Sequence, residues 1–149
     1  MLKGHLIHPQ ILEVLGRAGH GSKILIADGN YPASTTLGKN ATLVSLNLAP
    51  GVLTSTQVLK SLVSAIPVES AAVMAYYKTG PYALSDPPPV WVEFKKILGK
   101  AEATAELEEI ERFAFYEASQ QPDVCMTIAT ADQRVYANLL LTIGVISPE

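Results

Sequence analysis

Gly19-His20-Gly21 stands just before a short apolar run, residues 24–27, and Asp28 stands just after it. An imidazole flanked by two residues without side chains is accessible, and it can give and take protons near neutral pH. The carboxylate that opens Asp28-Gly29-Asn30-Tyr31-Pro32 can accept two hydroxyl hydrogen bonds or take a proton. Each residue also has a plain structural reading. His20 could cap the carbonyls at the end of a helix, and Asp28 followed by glycine suits an Asx-turn.

A second cluster lies farther along the chain. Glu108, Arg112 and Tyr116 recur at four-residue spacing, with Leu107, Ile110 and Ala114 as an apolar stripe, as on one helix. An exposed Glu108–Arg112 ion pair is one reading. The rings of Phe113, Phe115 and Tyr116 suggest another, an arginine partly buried among aromatics and binding a hydroxylated ligand.

Other chemistries lack their signatures. Gly19-His20-Gly21 precedes a strand, whereas a dinucleotide fingerprint follows one and opens a helix. His5, His8, His20 and Cys125 show no zinc spacing, and no serine sits in a nucleophile elbow. The expectation is metal-free, non-covalent chemistry without a nucleotide cofactor.

The elements that must hold these residues alternate in type. Residues 24–27 are apolar without alternation, as in a strand covered on both faces, and they place Asp28 at a strand's carboxyl end, where α/β sheets bind ligands. Pro9 opens a helix that Gly19 stops, residues 42–46 form a second strand, and Thr54-Ser55-Thr56 starts a helix carrying Val58, Leu59, Leu62 and Val63. Residues 71–77 form a third strand. Residues 78–89, with Pro87-Pro88-Pro89, form a stiff surface loop or lid that is neither helix nor central strand. A helix follows over 90–98, a longer acidic one over about 103–120, and a fourth strand over 124–128; residues 136–146 suit strand or helix. The order predicts an α/β fold: one single-domain layered sheet spanning residues 1–149, mostly parallel, flanked by helices.

Composition narrows the partners. The 149 residues are 48% hydrophobic and 17% charged, an oily balance that points to subunit contacts and hence a homo-oligomer. No run approaches the roughly 20 apolar residues of a membrane span. A net charge of −3 without a basic cluster argues against nucleic acid or an anionic membrane as partner. The single cysteine, Cys125, lies in an apolar run and reads as a reduced, buried thiol in a cytoplasmic protein. The first residues carry neither the apolar core nor the cleavage site of a signal peptide.

Arg112-Phe113-Ala114-Phe115-Tyr116-Glu117, followed by Tyr136-Ala137-Asn138 and preceded by Gly19-His20-Gly21 and Asp28, resembles the ribose pyranase and fucose mutarotase family over nearly the whole chain. The first of these runs is similar to the fucose mutarotase branch. The resemblance implies an isomerase that interconverts the α and β anomers of a monosaccharide, most closely L-fucose, by acid–base ring opening and closure without a cofactor. It implies that His20 is the proton donor, that Asp28 and Arg112 bind the sugar, and that Tyr136, Ala137 and Asn138 form a binding segment. It further implies a ring-shaped assembly, a decamer. Pyranose–furanose interconversion of ribose, or a non-catalytic sugar-binding ring, are the alternatives.

Strand length adds a constraint from the residues themselves. Residues 23–28 span five steps of about 3.3 Å, roughly 16 Å. His20 and Asp28 of one chain therefore belong near opposite ends of a strand, and a sugar touching both would take them from adjacent subunits.

Overall fold

The computed structural model describes residues 1–101, 103 and 106–148. One six-stranded sheet organises them, in the order β2-β5-β1-β6-β3-β4. The strands are β1 (Lys23–Ala27), β2 (Thr42–Ser45), β3 (Val68–Met74), β4 (Glu108–Ile110), β5 (Val124–Ala129) and β6 (Leu139–Ile143). The pairs β1–β5, β2–β5 and β3–β4 are parallel, and β6 runs antiparallel between β1 and β3. The expected α/β fold with a mostly parallel sheet is therefore present.

Burial follows from that order. In the centre of the sheet, Ile24 to Ala27 are wholly buried, which is why β1 reads as an unbroken apolar run. Its residues alternate between two cores. Ile24 and Ile26 join Leu59, Leu62, Phe94 and Leu98 on the face covered by α1 (Pro9–Arg17), α2 (Ser55–Leu62) and α3 (Pro89–Lys100). Leu25 and Ala27 join Tyr31, Met74, Phe115 and Tyr136 on the face covered by the shorter α4 (Arg112–Ser119).

Local chemistry fixes the helix starts. Pro9 occupies the first position of α1, with the ring nitrogen of His8 accepting from the Ile11 N–H. Thr54 and Gln57 form a reciprocal capping box on α2, a motif in which the capping residue contributes about 1 kcal/mol.

Three sequence expectations are corrected. The acidic helix over about 103–120 does not form as one piece: Glu108–Ile110 adds to the sheet edge as β4, and the helix begins only at Arg112, capped by the Glu111 carboxylate accepting from the Phe113 and Ala114 N–H groups. Residues 104–105 of the expected span lie outside the described residues. The third strand sits three residues earlier than its apolar pattern suggested, ending at Met74. Pro89 is the first residue of α3, where a missing N–H costs nothing, so the proline run is partly helical. The ambiguous stretch 136–146 contains β6.

Candidate functional site

The register of β1 against β6 builds one end of the sheet. Ile26 lies opposite Leu139, so the residues just beyond, Asp28 and Asn138, are neighbours across the strand ends. They hold each other by two bonds: the Asp28 N–H donates to Asn138 Oδ1 at 2.8 Å, and Asn138 Nδ2 donates to Asp28 Oδ2 at 2.8 Å. The Asn30 N–H donates to Asp28 Oδ1 at 2.9 Å, so the Asx-turn is present as well. Gly29 is needed beside it, because its N–H donates to the Asp132 carbonyl and a Cβ would stand 3.1 Å from that oxygen.

Asp28 is only 5% exposed, and burial pushes its carboxyl above the ordinary carboxylate range. Hydrogen bonds from the backbone of Asn30, the Asn138 side chain and the backbones of Tyr31 and Ala137 act the other way without cancelling it. Asn138 Nδ2 keeps one hydrogen beyond the one it gives Asp28, which suits a hydroxyl group of a ligand.

Asp28 and Asn138 open into a cavity of about 360 Å³, within the roughly 300–1,000 Å³ typical of small-molecule sites. Arg112, Tyr116, Tyr136 and Met74 also line it. The Arg112 guanidinium lies over the rings of Tyr77 and Tyr116, 5.5 and 5.8 Å from their centroids. The expected aromatic surroundings of Arg112 are therefore real but differently composed. Phe115 is in the core and Phe113 is exposed, while Tyr77, three residues beyond the end of β3, supplies the second ring. Glu108, now on an edge strand, does not share a helix face with Arg112, and no bridge between them is present among the described residues.

Tyr136 is the strained residue of the site. Its φ of 59° is left-handed, a conformation costing on the order of 1–3 kcal/mol for a residue other than glycine. Several contacts hold it there. Trp91 Nε1 donates to its carbonyl at 3.1 Å, its phenol donates to the Tyr82 carbonyl and accepts from the Tyr77 N–H, both at 3.1 Å, and its ring meets Tyr76 edge-on. Nothing in the residue type signals this.

The preceding turn is pinned by a pair that sequence reading missed. Asp132 is 1% exposed, accepts from Arg134 Nε and Nη2 and from the Ser55 N–H at the start of α2, and Arg134 reaches on to Glu93. Burial pushes the Asp132 carboxyl up, but the Arg134 guanidinium and these N–H donors outweigh it and hold the group below the ordinary range. A larger cavity of about 600 Å³ lies beside this turn, lined by Asn47, Leu48, Pro50 and Gln133. Its buried carboxylate, Asp132, is already saturated by N–H groups of Arg134 and Ser55.

His20 is at the other end of β1. Gly21, with φ of 81°, makes the turn out of α1 and its N–H donates to the Ile143 carbonyl at the end of β6. His20 Nε2 lies 2.8 Å from Glu69 Oε2, and the two side chains are 58% and 44% exposed. It does not cap α1, whose last residues close through Ala18. Nor does it line the Asp28 cavity. The structure thus brings together Asp28, Arg112, Tyr136 and Asn138, buries Ala137 beside them, and sets His20 apart. Cys125 is half-buried with its thiol donating to the Lys23 carbonyl, and burial raises its pKa.

Among the described residues no helix is long and apolar enough to cross a membrane, and no group of His, Cys, Asp or Glu has the arrangement of a metal site.

A small α/β protein with a carboxylate, an amide and a guanidinium set among tyrosines at its strand ends has the make-up of a receptor for a polyhydroxylated molecule. The chain belongs to the RbsD / FucU transport protein family, whose model matches residues 1–146. It is 32% identical to the fucose mutarotase of Homo sapiens over 95% of this chain and 91% of that protein. Likeness to the fucose mutarotase of Danio rerio is 31% over 100% and 97%. The crystal structure of FucU from Bifidobacterium longum superposes with a TM-score of 0.80 at 29% identity, covering 95% of this chain and 96% of that one.

Proposed function

We propose that this chain is an L-fucose mutarotase, an isomerase that speeds exchange between the α and β anomers. The observation that carries the reading is the Asp28–Asn138 pair facing Arg112 across a tyrosine-lined cavity, in a chain that matches fucose mutarotases along its length.

Anomer exchange needs no group beyond proton carriers. A proton goes to the ring oxygen as its bond to C1 breaks, the C1 hydroxyl gives up its proton and becomes the carbonyl, the aldehyde turns about the C1–C2 bond, and the reverse steps close the ring. Asp28, Asn138 and Arg112 grip the hydroxyls, Tyr136 shapes the cavity wall with the buried Ala137 linking it to Asn138, and His20 donates the proton. General acid–base assistance of this kind supplies roughly 10²–10⁴-fold in rate.

His20 reaches the sugar from another copy of the chain. Its separation from Asp28 by the length of β1, roughly 16 Å, is too great for one sugar to touch both within a chain. The exposed Phe113, beside Arg112 on α4, favours burial between subunits. The working form is a homo-oligomer, a decameric ring, and the free thiol of Cys125 suits the cytoplasm.

Saturation-exchange NMR between the anomers of L-fucose tests the reading. The protein accelerates exchange, and His20→Ala removes the acceleration. Unchanged exchange with fucose, ribose and galactose would overturn it.

A further inference from the structure

We infer that Tyr82 is a specificity-determining residue of this cavity, supplying the apolar surface that reads the C6 methyl group of a 6-deoxy sugar. The inference rests on the sugar-site reading above and adds the feature of the substrate that the polar groups cannot recognise. Asp28, Asn138 and Arg112 contact hydroxyls, and hydroxyls alone do not report a methyl group.

The cavity's other tyrosines are already committed. Tyr31 packs on Phe115 and Tyr116, and its hydroxyl lies 2.7 Å from Ser119 Oγ. That serine donates its own proton to the Tyr116 carbonyl, so Tyr31 is the donor in the pair. The Tyr116 ring carries Arg112, and the Tyr136 ring meets Tyr76. Tyr82 lines the same cavity, has no ring partner among the described residues and is 69% exposed. Met74 and Val135 complete the apolar lining.

The backbone carrying Tyr82 is fastened rather than loose. Its carbonyl accepts from the Tyr136 phenol, which in turn accepts from the Tyr77 N–H, and the Leu84 N–H donates to the Tyr77 carbonyl at 2.9 Å. Gly80, with φ of 94°, allows the reversal between them. The backbone held this way keeps Tyr82 at the cavity, so only the side chain remains to be ordered on binding.

The test uses a pair of sugars. D-arabinopyranose is L-fucopyranose without its C6 methyl group, so the ratio of their kcat/KM values for ring opening isolates that group. One such apolar group is worth 10-fold or more in discrimination, so wild-type protein is expected to favour L-fucose by about tenfold. Tyr82→Ala is expected to bring the ratio close to one, whereas Tyr82→Phe keeps it. Tyr82→Gln, which removes the ring but keeps a longer side chain than alanine, serves with the same readout if the alanine chain does not fold. An unchanged ratio in the truncated chain, or a wild-type ratio of one, would overturn the inference. Failure of the mutarotase reading looks different, since neither sugar would then exchange faster with wild-type protein.

Discussion

The two ends of β1 are built in opposite ways. At the carboxyl end, Asp28 is buried, bonded on both oxygens, and surrounded by tyrosines that fix Arg112 and one another. At the amino end, His20 and Glu69 form a mostly exposed pair at the mouth of a glycine turn. One end can select and orient a small molecule but carries no exposed proton shuttle. The other has an accessible imidazole whose side-chain partner is Glu69. A site that needs both is complete only where one copy's amino end meets another's carboxyl end, and catalysis then depends on assembly.

That division is most sharply broken by mixing. His20→Ala is expected to cost roughly 10²–10⁴-fold in the exchange rate while leaving L-fucose binding by calorimetry intact. Arg112→Ala should abolish binding at the other end. If sites are shared, refolding the two inactive chains together at equal amounts restores about a quarter of the wild-type rate, because one interface in four pairs an intact cavity with an intact histidine. No recovery, with mixed oligomers shown to form, would place both groups of a site in one chain.

A milder change sharpens the carboxyl end alone. Arg112→Lys keeps the charge but loses the planar fork that stacks between Tyr77 and Tyr116. The expected result is a KM about tenfold higher with kcat little altered, the pattern of an interaction made equally in ground and transition states. A fall in kcat at constant KM would instead place the guanidinium on the reacting atoms.

How far these ends could be read from sequence differed for physical reasons. The central strand announced itself through Ile24 to Ala27, and its length alone separated His20 from Asp28. Asn138 came from the resemblance, but its two bonds to Asp28 depend on the β1–β6 register, which no local pattern encodes. The edge strand β4 was hidden because three residues, two of them glutamates, continue the spacing of the helix that follows. Tyr77 and Tyr82 were invisible for a related reason. They are brought to Arg112 and Asp28 by pairing between distant segments and by a tyrosine in a left-handed conformation.

The smallest expected effect concerns what supports the carboxyl end. Asp132 and Arg134 fasten the turn between β5 and β6 to α2 and α3, upstream of strained Tyr136. Asp132→Asn leaves Arg134 without its buried partner; because Arg134 is about one-third exposed, the loss should be about 2 kcal/mol rather than the 3–5 of a fully buried pair. For a chain of this size that is a fall in Tm of roughly 4–8 °C. The pH dependence identifies the cause. The folded-state pKa of Asp132 lies below its ordinary 3.8, so its contribution is fully present above that value and is lost as pH falls through the folded pKa. The gap in Tm between wild type and Asp132→Asn should therefore be widest near neutral pH and shrink on acidification below about pH 4. Asp28, whose pKa is raised, contributes with the opposite sign in both chains and cancels from the difference. A gap independent of pH would mean that the asparagine acts through packing. Loss of L-fucose affinity without any change at His20, read by the imidazole NMR signals, would show that the turn serves the carboxyl end alone.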